Sequence, residues 1–430
     1  DLDEISQYLK DEYGYETGPY QGYDNESGNQ RFVARLDWNI NDNHRVNVRY
    51  SQVESKSPSF PSTSTSGSGF NAASGFNRQS NNALFFKNAG YFQEANFYSL
   101  AAEVNSVFGK VANTFRATYT HQNDPRSSGS SVFPFVDILD GDPANNRTYT
   151  SFGYEVFTFG NLRDVTTYSF VDYLTFSKGI HNILAGVQAD FQKTKNGFQR
   201  FGTGYYVFAS WDDFVNGANP VNYALTYSLS PGFKQAFPNI GYNQYSVYAQ
   251  DEMAINDRFK LTAGIRFDLP TFPEVDGIKT HPLAEPLEFN DGWRMDTGVL
   301  PKTRVMVSPR VGFNWDVMGD RSLQVRGGTG IFTGRVPTVW LVAQSGDAGL
   351  LQFTETFSGQ GNTPGPFDPD PRAYLPATVP AAGASLPSTF SAIDPNFKFP
   401  QSWKTSVAVD KKLPFGLVGT LEAIYTKDLN

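Results

Sequence analysis

The sequence predicts an all-β protein: part of an antiparallel up-and-down transmembrane β-barrel, about twelve strands of it, with long extracellular loops. Three observations predict this. Six times along the chain, two strand-like segments flank a turn of only a few residues. Inside those segments apolar and polar side chains alternate, as in a strand with one covered face. Between the pairs run five much longer connections, approximately 51–96, 121–164, 193–242, 268–303 and 334–400, rich in Gly, Pro, Ser, Asn and aromatics. Short turns at one end of a sheet and long loops at the other are how an outer-membrane barrel is built.

Taken in order, residues 1–30 begin with a short helix that places Ile5, Tyr8 and Leu9 on one face, and a Gly/Tyr-rich loop follows from Gly14 to Gly28. The first hairpin runs Phe32–Ile40, turns through Asn41–Arg45 and returns as Val46–Tyr50. In the second, Tyr98, Leu100, Ala102 and Val104 alternate with Ser99, Glu103 and Asn105. After a turn at Gly109–Lys110, Val111, Phe115, Ala117 and Tyr119 alternate with Thr114, Arg116 and Thr118. The third turns at Lys178–Gly179, and its return strand sets Ile183, Ala185, Val187, Ala189 and Phe191 against Asn182, Gln188, Asp190 and Gln192. The fourth, fifth and sixth turn at Asn256–Arg258, Met318–Arg321 and Lys411–Gly416, each between alternating runs.

Alternation alone fits a soluble sandwich as well as a barrel in lipid, because both cover one face. Length separates them. Several runs last about 10–14 residues, twice the mean globular strand and enough to cross the hydrocarbon when tilted. The polar phase carries Arg together with Asp or Glu, which suits an aqueous or plugged lumen. Aromatics such as Trp38, Phe97, Phe191, Trp315 and Trp403 gather towards strand ends, as interfacial girdles do. Within the strands three residues break the pattern, Asn113, Asp172 and Asp251, which fall in the apolar phase; Lys411 does so too, but at a turn, where its stem can snorkel. Either those three sit near a rim, or a bulge shifts the phase there.

Composition narrows the class. The chain has 430 residues with 37 Phe, 22 Tyr and 6 Trp, yet a mean hydropathy of −0.40 and no apolar run of helical membrane-span length. A barrel escapes that test, since only alternate residues meet lipid. A net charge of −8 without any Lys/Arg block argues against nucleic acid as a partner. The absence of Cys rules out disulfides and thiolate metal sites. The chain opens at Asp1 with neither a start Met nor a signal peptide and stops just after the strand-like Leu417–Thr426, so it reads as a piece of a longer one.

Four segments carry a family likeness: Phe32–His44, Tyr245–Glu252 (YSVYAQDE), Ser308–Phe313 (SPRVGF) and Leu421–Asp428 (LEAIYTKD). They resemble the barrel phrases of TonB-dependent outer-membrane receptors of the SusC-like and Oar-like branch, with Met253 where the family often has an aromatic. The resemblance covers nearly the whole chain, as barrel only. It implies a barrel of roughly 22 strands, with the N-terminal plug domain and C-terminal strands outside residues 1–430. It also implies outer-membrane lipid around the barrel of a Gram-negative cell. An extracellular nutrient ligand would bind the loops, and a TonB-type energy-coupling partner would act through the missing N-terminal region. A surface lipoprotein is a further partner to look for.

Chemistry is sparse. None of His44, His121, His181 and His281 lies at metal-ligand spacing from another, so no metal site is expected. Gly327–Gly334 lacks the Lys-Ser/Thr of a phosphate loop and has no helical pattern after it. Asp140–Asp142 and Asp368–Asp370 miss the spacing of a calcium loop. No catalytic constellation and no cofactor is expected, and the protein does not read as an enzyme. One functional signal remains, the aromatics of the loops: Phe85, Phe86, Tyr91, Tyr205, Tyr206, Trp211 and Trp340. They are the candidate ligand-binding residues, stacking on sugars, peptides or other nutrients; the alternative is that they pack the loops together. Rival functions are a passive porin-like or adhesive barrel, and a soluble glycan-binding β-protein.

Overall fold

Each alternating run becomes a strand, and each strand pairs with its neighbours in chain order. The computed structural model describes residues 1–64, 78–142, 147–273 and 275–430, among which nineteen strands are numbered along the chain. The wall consists of β1 (Gly28–Asn41), β2 (His44–Ser59), β4 (Tyr91–Glu94) with β5 (Asn96–Phe108), β6 (Val111–Ser127), β9 (Leu162–Lys178) and β10 (His181–Gly197). It continues through β13 (Asn239–Asn256), β14 (Phe259–Thr271), β15 (Met306–Asp316), β16 (Leu323–Thr333), β18 (Gln401–Lys412) and β19 (Val418–Asp428). The pair β4 and β5, broken only at Ala95, fills one place between β2 and β6. The result is a meander of twelve antiparallel ribbons, joined by the six short turns expected from the sequence.

Among the described residues no other part of the protein covers the apolar phase. Leu36, Leu174, Val187 and Val247 point away from the lumen and stand 77%, 48%, 53% and 52% exposed. On β9 the outward positions run Asp164, Thr166, then Tyr168, Phe170, Asp172, Leu174, Phe176, then Lys178. The apolar stretch, Tyr168 to Phe176, therefore matches the roughly 9–11 tilted residues that cross a hydrocarbon layer. An aromatic belt marks its upper edge: Tyr119 meets Tyr168 at 5.3 Å between ring centroids, and Phe191 meets Tyr245 at 5.8 Å. Above the belt the same outward face turns polar, with His121 bonded to Asp164 at 3.1 Å and Tyr98 to Glu54 at 2.8 Å. Strands continue there for several residues beyond the alternation of apolar side chains. The first four long connections are consequently shorter than the sequence suggests, 60–90, 128–161, 198–238 and 272–305, while the last keeps its bounds, 334–400.

The three out-of-phase residues are answered by pairing. Asn113 donates to Asp172 at 2.7 Å, and His181 bonds Asp251 at 2.6 Å. Asp251 stands opposite Ile183, two residues above His181, so it lies at the short-turn rim. Asp172 sits half-way between Tyr168 and Phe176, and the register through it is unbroken on both sides. No bulge moves it out of the apolar band; a hydrogen bond on the sheet surface satisfies it instead.

The lumen face is a polar mesh. Asp268, 3% exposed, accepts from Ser246 at 2.7 Å and from Gln244 and Arg266 at 2.9 Å. Arg266 reaches on to Gln188 at 3.0 Å, and Gln188 to Asp190. Asp190 also holds Arg335 at 2.5 Å, which ties the start of the 334–400 connection to the wall.

The connections are not simple loops. A second sheet, in the order β17 (Gln352–Ser358), β12 (Asn222–Ser228), β11 (Tyr205–Phe208), β7 (Phe135–Leu139), β8 (Thr148–Phe152) and β3 (Leu84–Phe85), is assembled from four of the five. Helix α1 (Leu2–Tyr13) packs Leu2, Ile5 and Leu9 into its core, the face foreseen from the sequence, together with Phe86, Phe133, Phe152, Phe208 and Phe214. At the sheet's centre Arg78 forks onto Asp137 at 2.8–3.0 Å. Tyr205 and Ser151 each donate to Asp137 at 2.6 Å, and neither Arg78 nor Asp137 is more than 1% exposed. A bidentate pair with every carboxylate oxygen engaged is the arrangement in which burial of charge is tolerated. The low-complexity run Ser55–Asn71 begins inside β2, and its last residues lie outside the described ones.

Candidate functional site

Where the wall rises above the aromatic belt, its lumen side faces a cavity of about 520 Å³. One side is charged and comes from the strand tops: Glu94 of β4, Asp124 and Arg126 of β6, Arg163 of β9 and Asn196 of β10. All except Glu94 fall in the lumen phase of their strands, the phase of Arg116 and Gln188. The other side is a short helix, not α2 (Trp211–Val215) but α3 (Thr338–Gly346), which presents Val339, Val342 and Ala343. Sequence reasoning missed α3. Pro337 precedes it with no side-chain cap, and Thr338, Val339 and Val342 are β-branched. Buried Leu341 and Val342 hold it against Ile240 at the top of β13.

Electrostatics around the cavity are uneven. Arg163 grips Asp124 through two nitrogens, and Asp124 also receives Gln122 at 2.8 Å. Glu94 accepts from Ser127 at 2.9 Å and lies 3.6 Å from Lys56. Arg126 instead lies over the ring of Tyr91, 4.7 Å from its centre. Asp347, next after α3, has among the described residues only Arg200 as an ionic partner, at 3.7 Å; burial pushes its carboxyl above the usual range and that distant guanidinium only partly opposes it.

A second cleft, about 450 Å³, opens beside β4. Tyr23, Phe60, Phe85, Tyr91 and Phe92 line it with Asp24, Glu26 and Asn88. Thus Phe85 and Tyr91, two of the aromatics singled out from the sequence, share one concave surface. The others are placed differently. Phe86, Tyr205 and Tyr206 are no more than 1% exposed, inside the core of the second sheet. Trp211 stacks on Phe214 at 5.1 Å and is half-buried. Trp340 is 50% exposed on α3, edge-on to Phe397. The side chains of the larger cavity's rim gave no sequence signal, for a lumen-facing Arg or Asp looks like any polar strand residue.

Asp140 and Asp368 spend a carboxylate oxygen on the amides of Asp142 and Asp370, closing local turns. Gly327, Gly328 and Gly330 are strand residues of β16, where Gly328 pairs with Gly312 of β15.

A family model described as an outer membrane beta barrel domain matches residues 9–424. The chain belongs to the outer membrane beta barrel domain family. Among solved structures, this barrel is similar to the outer membrane transporter YddB from Escherichia coli, at 12% identity and a TM-score of 0.56, over 93% of this chain and 40% of that one. It is also similar to the siderophore receptor PiuA from Acinetobacter baumannii, at 10% identity and a TM-score of 0.46, over 93% of this chain and 50% of that one. The barrel chain therefore spans half or less of the length of these two proteins. No curated protein matches its sequence. Family and architecture together locate this barrel in the outer membrane of a Gram-negative bacterium.

Proposed function

We propose that the intact protein is a TonB-dependent outer-membrane importer of the SusC-like and Oar-like branch, taking up a nutrient captured on its extracellular side. The observation that carries this reading is the cavity above the belt: concave, charged on one side and apolar on the other, and open on the lumen side of the wall. Phe85 and Tyr91, in the neighbouring cleft, are proposed as first contacts for the ligand, since rings on a concave face offer stacking surface. The barrel's part is mechanical. It supplies a lipid-anchored wall, a polar lumen and a rigid platform made of loops; a lumenal plug and a TonB-type partner would supply gating and energy. No covalent step is required of any residue here.

Uptake measurements test this directly. Cells carrying the gene are expected to deplete a component of a peptide- and glycan-containing medium that cells lacking it leave untouched. A protonophore is expected to abolish the difference. Depletion that persists after the proton gradient collapses would instead identify a passive porin-like barrel, and no depletion at all an adhesive one.

A further inference from the structure

We propose that the cavity beside α3 binds a short peptide with free termini and apolar side chains; this rests on the import reading above and narrows its cargo. Most charges around the cavity are matched within the protein. Arg163 is consumed by Asp124, and Glu94 by Ser127 and Lys56. Two are left over, and they have opposite signs. Among the described residues Arg126 has no carboxylate partner, only the ring of Tyr91. Asp347 lies beyond hydrogen-bonding distance of its one cation, Arg200, whose own Nε is buried without a partner.

Asp347 also follows directly on the C-terminal end of α3, where unsatisfied carbonyls disfavour negative charge. An incoming ammonium offsets that repulsion and supplies the hydrogen bonds that Arg200 does not reach. An incoming carboxylate does the same for Arg126, whose forked guanidinium matches it. The same cavity has an apolar lining as well: Val339, Val342 and Ala343 on α3, with Phe198, Pro238 and Leu351. A neutral glycan would use neither charge, and a polyanionic chelate would be repelled by Asp347. A zwitterion with greasy side chains uses all three features, and a volume of about 520 Å³ admits a ligand of a few residues.

The test uses the intact protein in detergent and three probes measured by calorimetry: Leu-Leu-Leu, its N-acetyl form and its C-terminal amide. The free tripeptide is expected to bind, and each cap to weaken it about tenfold or more, the loss of one charge-assisted contact. Arg126→Gln is expected to erase the preference for the free acid while keeping the preference for the free amine. Asp347→Asn is expected to do the reverse, and Asn is no worse than Asp at the end of a helix. Affinity indifferent to both caps, or no binding by protein that keeps its heat-modifiable barrel mobility, would overturn the assignment. Proton-gradient-driven uptake of other compounds without peptide binding would sink the peptide site and spare the importer. Peptide binding without energised uptake would uphold the site and sink the importer.

Discussion

Asp137→Ala is expected to unfasten the extracellular sheet while the barrel below stays intact. The substitution strands Arg78, 1% exposed, without its fork, and takes the carboxylate acceptor away from the hydroxyls of Tyr205 and Ser151. Removing one partner of a fully buried pair costs about 3–5 kcal/mol, because the remaining charge stays desolvated. Trypsin added to intact cells should then cut within 128–161 and 198–238, segments bridged by the parallel β7–β11 contact. Heat-modifiable migration of the barrel should persist. The double replacement Arg78→Met with Asp137→Leu should restore much of the protease resistance, since an apolar pair of similar volume leaves no buried charge uncompensated, although the hydroxyls of Tyr205 and Ser151 still lack their acceptor. Loops that resist trypsin equally in the single variant and the parent would show that the pair does not hold this sheet.

Val247→Arg should be among the most damaging substitutions in the wall. Val247 lies opposite Val187, which is opposite Asp172, so it shares the mid-height of the apolar band. A cation on the lipid face at that depth costs about 2–4 kcal/mol, whereas lumen positions tolerate charge. Thr118→Lys, in the lumen phase of β6 and opposite Ser169, is the matched control. Urea titration of folding into lipid vesicles should show a markedly lower midpoint for Val247→Arg and little change for Thr118→Lys. Equal loss in both would contradict the assignment of faces.

The wall was readable because its signals are local. Period-2 alternation and turn residues such as Gly109–Lys110 lie within a hairpin, so all six turns and the twelve ribbons follow from segments of some twenty to forty residues. The second sheet was unreadable for the opposite reason. Its strands are short and its central ones are buried on both faces, so Phe135–Leu139 and Tyr205–Phe208 show largely apolar runs without alternation. Their partners are remote: Arg78 and Asp137 are 59 residues apart, and Tyr205 and Asp137 are 68. The loop aromatics follow from this. Rings such as Phe86 and Tyr206 fill the core of a sheet that the sequence does not announce, whereas Phe85 and Tyr91 border open space. The cavity's leftover charges, Arg126 and Asp347, come from β6 and the end of α3, and only folding sets them around one volume.

Because the chain contains no Cys, single cysteines can be introduced along β10 from Ile183 to Phe191 and spin-labelled in lipid vesicles. Collision with oxygen, which partitions into hydrocarbon, should peak at 183, 185, 187, 189 and 191, while a water-soluble nickel chelate should reach the positions between them. Uniform values along the strand, or nickel contact at 185 and 187, would mean that something other than lipid covers the apolar face.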